Sequence, residues 1–177
     1  MFDSQYRFYG KHAQEVSLLT NVFDNVGKGK LFNRNLDVYI NAPIIGFLYG
    51  RIADEDHTKS PETGKVYDQS IMGEQIIHSD DELMFNFRLI MLLDEAYEPD
   101  INKRIDKAFR NTGKDKSDES RFEGYVRGGV DVLYEKLIEG AKEPQDYVEK
   151  LYDFLEDFQD RFNSNFTSED VLKLCSN

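Results

Sequence analysis

The chain has 177 residues, 40% hydrophobic and 13% aromatic, which suffices for one domain with its own core and sets it apart from disordered sequences. Its formal charge of −12 argues against a general duplex binder, because a protein that holds DNA mainly through phosphates presents a basic surface. The single cysteine, Cys175, excludes an internal disulfide and a multi-cysteine metal site.

A start without a basic-then-apolar leader, and apolar runs well short of the roughly 20 residues that span a bilayer, predict a cytoplasmic protein with no membrane association. The charge is uneven: residues 131–177 hold 12 acids against 5 bases, a net of −7. Against that field, residues 27–34 (Gly-Lys-Gly-Lys-Leu-Phe-Asn-Arg) carry three cations and no acid, the one place where a phosphate contact is expected.

In chain order, Val16, Leu19, Val22 and Phe23 fall at helical spacing and predict a first helix over 11–23, ended by a flexible loop at 25–29. Residues 35–50 are apolar almost all round and predict a central buried helix, kinked or split at Pro43, with Ala42 and Gly46 small enough for a neighbour to approach closely. Residues 53–70 read as a long polar loop, and residues 75–78 as a short strand or a loop packed on the core. Ser79 with Glu82 matches a capping box that starts a helix running to about Tyr97. A helix over 100–110 should turn Ile101, Ile105, Ala108 and Phe109 inward.

Beyond the turn at 112–116, Ser117 or Asp118 is expected to cap a long helix with Phe122, Tyr125, Val126, Val130, Leu133 and Leu137 on one face and Gly128–Gly129 in its middle. Pro144 opens a helix with the apolar stripe Val148, Leu151, Phe154, Leu155, Phe158 and Phe162, its opposite face acidic through Glu149, Asp153, Glu156, Asp157 and Asp160. A last short helix is expected near Ser168. The sum is a mainly α fold, one compact domain over 1–177 built as a bundle of about six to seven helices, with at most one short β piece near 66–78.

Chemistry is sparse. His12, His57 and His78 are far apart and none has a second ligand at zinc spacing, so no metal site is assigned. Residues 27–30 lack the spacing of a phosphate-binding P-loop, there is no G-x-S-x-G elbow, and the acids at 80–82 sit where they complement a helix dipole. No catalytic residue and no cofactor are predicted. The glycine pair at 128–129 is the hardest feature to explain locally: close packing against the Ala42–Gly46 surface is one reading, a backbone contact with a partner or ligand the other. Positions where polar groups or glycine interrupt buried patterns mark the candidate contacts: Lys28, Lys30, Arg34, Asp37 and Tyr39, and Arg127, Gly128 and Gly129.

Two patches carry a resemblance. Leu31-Phe32, Asp37-Val38-Tyr39 and Ala42-Pro43-Ile44-Ile45-Gly46-Phe47 form the first; the second is Phe122-Glu123-Gly124-Tyr125-Val126-Arg127-Gly128-Gly129-Val130-Asp131-Val132-Leu133. Both are similar to segments of the Dnd system-associated small proteins, which accompany bacterial DNA phosphorothioation gene clusters, and the likeness spans about residues 30–160. The chain departs from that pattern at Pro43, where the family has a small residue, and at Arg127, where it has Asn.

The resemblance implies a helical accessory component acting beside DNA-modifying or restricting machinery, with no catalytic residue to carry over. The leading expectation is therefore a non-enzymatic accessory or regulatory protein of an antiphage defence system that works through a protein partner. An acidic inhibitor that occupies a partner's nucleic-acid site with the 149–160 carboxylates is one alternative. A metal-dependent DNA-processing enzyme built from Asp37, Asp94 and Glu95 is another.

Overall fold

The alternation of apolar runs with glycine- and aspartate-rich breaks becomes seven α-helices and two small antiparallel strand pairs in the computed structural model, which describes residues 1–162. Strand β1 (Tyr6–Tyr9) leads into α1 (Gly10–Thr20), and the hairpin of β2 (Val22–Asp24) and β3 (Gly29–Lys30) precedes α2 (Asn35–Leu48). After a long irregular run come β4 (Asp68–Ile71), the short α3 (Gly73–His78) and α4 (Asp80–Leu93). Helix α5 (Ile101–Ile105) widens into a π-helical turn over Asp106–Arg110, followed by α6 (Lys116–Leu137) and α7 (Pro144–Phe162). The helix expected near Ser168 lies outside the described residues. No helix among the described residues is long and apolar enough to cross a membrane.

Helix α6 is the hub, with α1, α2, α4 and α7 all packed on it. It buries Phe122, Tyr125, Val126, Val130, Leu133 and Leu137, the face its spacing predicts. It is capped by Asp115, whose carboxylate accepts from the Ser117 amide at 2.9 Å, rather than by Ser117 or Asp118. Asp118 is instead buried, held by Lys107 at 2.6 Å and the Tyr97 hydroxyl at 2.7 Å.

The tightest contact is between α2 and α6. A Cβ on Gly129 would overlap the Ala42 carbonyl, one on Gly46 would overlap the Tyr125 carbonyl, and one on Gly128 would overlap the Arg51 carbonyl. The glycine pair is therefore explained by backbone meeting backbone, which offsets a helix propensity loss of about 1 kcal/mol per glycine. Pro43 sits inside a single continuous α2 rather than splitting it. It offers no amide to the turn before it, and in that same turn the Ile40 carbonyl accepts from the buried Asn86 amide at 2.7 Å.

Elsewhere tertiary contacts overrule local pattern. Helix α1 stops at Thr20, and Val22 and Phe23 belong to the hairpin, with Val22 exposed. Residues 75–78 are helical, and the strand of that region is β4, which pairs with β1 in the register Tyr6↔Ile71 to Tyr9↔Asp68. Ser79 precedes α4 without a side-chain cap, and α4 ends at Leu93 because Asp94 leaves helical geometry. On the 101–110 segment Ala108 is buried, but Ile101 and Phe109 face solvent and Arg104 takes the inward place, 2.9 Å from Glu95.

The long polar run is pinned rather than free. The Ala53 amide donates to the Gly124 carbonyl at 3.0 Å, and the Gly10 amide donates to the Tyr67 carbonyl at 2.9 Å. The Asp56 carboxylate accepts from the Lys11 amide at 2.6 Å, capping α1 from 45 residues away. Gly10 permits this because it enters the helix at φ 55 and a side chain there would occupy the Asp56 position. Hydrogen bonds from the Lys11 and Thr58 amides hold the Asp56 carboxyl down at about 2.

Two changes measure these contacts. Gly129→Ala, pressed on a carbonyl that cannot rotate away, is expected to cost about 3 kcal/mol or more in chemical denaturation. Asp56→Ala removes a cap and is expected to cost about 1 kcal/mol.

Candidate functional site

Helix α7 presents the most distinctive surface. At about 100° per residue, Tyr147, Phe154 and Phe158 point to the core side, and Phe154 is buried. Next around the helix come Val148, Leu151, Tyr152 and Leu155, spaced i, i+3, i+4, i+7 and exposed at 51, 38, 66 and 57%. Within the described residues only half of the expected apolar stripe is thus covered. Beyond it Glu149, Asp153, Glu156 and Asp160 share one exposed face, and Asp157 reaches Lys136 at 3.0 Å. An apolar band bordered by carboxylates is a surface suited to a partner whose apolar patch is rimmed by basic groups.

A second constellation lies between α1 and α6. His12, 1% exposed, and Glu15 stand three apart on α1, so both project from one face toward Asp131 of α6. His12 Nε2 is 3.3 Å from Asp131 Oδ1, and Lys11 Nζ is 2.8 Å from the same oxygen. These approaches are ion-pair contacts without hydrogen-bond alignment: among the described residues the buried His12 Nε2, Glu15 Oε2 and Asp131 Oδ1 make no aligned hydrogen bond. One donor atom from each of the three residues lies within 4.8 Å of the other two, so these are the side chains that could hold a metal ion. Burial, then the Asp131 charge, pushes the Glu15 carboxyl up to about 8. Burial also pushes Asp131 up, but His12 and Lys11 outweigh it and hold it below its ordinary value.

The residues singled out from sequence do not form one site. Lys28 lies at the hairpin turn at φ 54, and Lys28 and Lys30 are exposed. Arg34 is matched by Asp37, with Nη2 donating to Oδ1 at 2.6 Å, so the basic spot keeps two cations rather than three. The Tyr39 hydroxyl donates to Glu123 Oε1 at 3.3 Å, beside a cavity of about 130 Å³ that Tyr6 and Glu119 also line. Arg127 Nε donates to the Ala53 carbonyl at 2.9 Å, and Gly128 and Gly129 lie in the helix crossing.

Asp37, Asp94 and Glu95 are committed to separate partners. Asp37 holds Arg34, Glu95 holds Arg104, and Asp94 accepts from Arg121 Nε at 2.8 Å and from the Tyr125 hydroxyl at 2.7 Å. The metal-type cluster is the one sequence reading missed. Its visible signal was His12-x-x-Glu15 on a helix; the third member lies 116 residues beyond Glu15 in the chain, so only the fold brings it in.

Glu123 gives a pH signature. Burial is the largest influence and pushes its carboxyl from 4.5 up to about 7, against the hydrogen bonds of Tyr6 and Tyr39 and the Arg127 charge. With the folded value above the unfolded one, its contribution is complete below about 4.5 and is lost as pH rises to about 7. Glu123→Gln is expected to flatten that decline, with a gain over wild type on the order of 1–3 kcal/mol at pH 8 and little difference at pH 4.5, read by denaturation at both values.

Compared with protein-family models, curated proteins and solved structures, the chain matches none.

Proposed function

We propose that this chain is a non-enzymatic accessory protein that holds a protein partner on the outer face of α7, within a prokaryotic DNA-modification or antiphage defence system. The observation that carries the reading is the exposed stripe of Val148, Leu151, Tyr152 and Leu155 beside Glu149, Asp153, Glu156 and Asp160. Apolar side chains at the middle of an interface, rimmed by charges that steer and align, are the usual layout of a protein contact. The acidic rim fits a partner with a basic surface, as proteins that handle DNA have. The defence setting rests on the resemblance of residues 31–47 and 122–133 to the Dnd system-associated proteins, and a cytoplasmic location follows from that setting.

A second reading is supported by one further observation. Glu149, Asp153, Glu156 and Asp160 follow one another on a single exposed face of α7, an arrangement that can stand in for a run of phosphates in a partner's nucleic-acid site. The two readings part on which side chains carry the affinity.

Partner recovery by the tagged full chain from nuclease-treated lysate of its own host, quantified by mass spectrometry, separates them. Leu151→Ala with Leu155→Ala is expected to reduce recovery of a defined DNA-modification or restriction subunit at least about tenfold, the loss of roughly 1.4 kcal/mol or more. Charge reversal at Asp153, Glu156 and Asp160 is expected to leave most of it. Loss on charge reversal with the leucine variants unaffected transfers the assignment to the acidic inhibitor; a partner indifferent to both sets overturns the role of α7.

A further inference from the structure

Buried polar atoms in a folded protein nearly always find a hydrogen-bond partner, so three orphans converging on one point call for an explanation. Among the described residues His12 Nε2, Glu15 Oε2 and Asp131 Oδ1 make no aligned hydrogen bond, Asp131 Oδ1 having only its ion-pair contacts with Lys11 and His12, and the three come from two helices that the fold brings side by side. His12 is 1% exposed and the Asp131 side chain 8%, which leaves little room for solvent to satisfy either. We propose that His12, Glu15 and Asp131 form a binding site for one divalent transition-metal ion of the zinc, manganese and ferrous class.

The donor set selects that class. An imidazole with two carboxylates suits Zn²⁺, Mn²⁺ and Fe²⁺, whereas Ca²⁺ and Mg²⁺ favour oxygen alone. The spacing agrees as well. With metal–ligand bonds of about 2.1 Å, two ligands of a tetrahedral ion lie about 3.4 Å apart. His12 Nε2 and Asp131 Oδ1 already stand 3.3 Å apart. Rotation of Glu15, the one member with solvent on one side, closes what remains of a set already within 4.8 Å.

The place also attracts positive charge. The Lys11 ammonium rests 2.8 Å from Asp131 Oδ1, a cation of this chain standing where the ion would bind, and Lys11 is 47% exposed and free to swing out. Glu135, one turn beyond Asp131 on α6, adds its negative field to Glu15 and is itself tied to Arg51 at 2.9 Å. The ion would join α1 to α6, and none of its ligands belongs to α7.

The test uses the tag-free full chain stripped with chelator, titrated with Zn²⁺ by calorimetry and with Co²⁺ by visible absorption. The expected result is one ion per chain at micromolar or tighter affinity, a Co²⁺ spectrum of a nitrogen- and oxygen-ligated site of low coordination number, and a rise in Tm on adding Zn²⁺. Glu15→Gln and His12→Gln are expected to weaken binding at least about 100-fold, more than the 10–100-fold that loss of a supporting neighbour brings. Lys11→Met, which removes the competing ammonium from Asp131 and changes neither a ligand residue nor the core, is expected to tighten binding several-fold. Glu15 is only half-buried, so Glu15→Gln keeps the fold and isolates the ligand. Wild-type binding in the millimolar range or absent, or binding that Glu15→Gln leaves intact, overturns the site.

Discussion

The fold depends on a contact made almost without side chains. Where α2 crosses α6, Ala42 lies against Gly129 and Gly46 against Tyr125, and just past the end of α2 Arg51 lies against Gly128, each so closely that a carbon added to the glycine would collide with a backbone carbonyl. Packing this close lets the flanking residues interlock: Phe47 meets Tyr125 edge-on at 5.5 Å, and Tyr39 reaches Glu123. Residues 35–48 and 116–137 supply the two sides of this crossing. Their pattern of small residues and aromatics is what such a crossing requires, and α1, α4 and α7 then find their places against α6.

Around that crossing the molecule buries charge in matched sets. Asp94 ends α4 and is pushed up by burial, yet the hydrogen bonds of Arg121 and Tyr125 outweigh this and keep it ionised. Arg121 in turn lies over the Tyr97 and Tyr125 rings at 5.4 and 5.0 Å. Asp118 is held by Lys107 and Tyr97. Such sets contribute modestly to stability, because desolvation offsets most of the attraction; removing one member leaves a buried charge uncompensated. They fix the angle between α4, the 101–110 segment and α6. Among the described residues Arg104 and Glu123 also keep buried atoms without an aligned hydrogen bond, but His12, Glu15 and Asp131 bring three such atoms together in one place.

Much of the architecture was legible in the sequence. The long helix with Phe122, Val126, Val130, Leu133 and Leu137, the buried helix across Pro43 and the start of α7 at Pro144 all follow from 3.6-residue periodicity and terminal signals. Close approach at Ala42 and Gly46 was legible because small residues four apart have few other uses. What sequence missed was set by distant partners. Strand β1 forms because β4 pairs with it, residues 75–78 turn helical instead of extending β4, and Ser79 leaves its expected capping bond unmade. On α7 the periodicity was right, but within the described residues the coverage was not, since an apolar stripe shows which side is apolar and not how much of it is packed. The candidate metal cluster was hidden for the same reason: two members are local, the third depends on how α1 lies on α6.

The cap that Asp56 places on α1 ties together parts of the chain that a ribbon diagram would separate. The first turn of α1 keeps its amide bonded only while the 51–67 run lies across it, and that run is held in turn by the Gly124 carbonyl of α6. Opening either one breaks bonds made by the other. An irregular segment that would ordinarily exchange as a loop thus shares hydrogen bonds with both α1 and α6, and exchange at the start of α1 is coupled to its release.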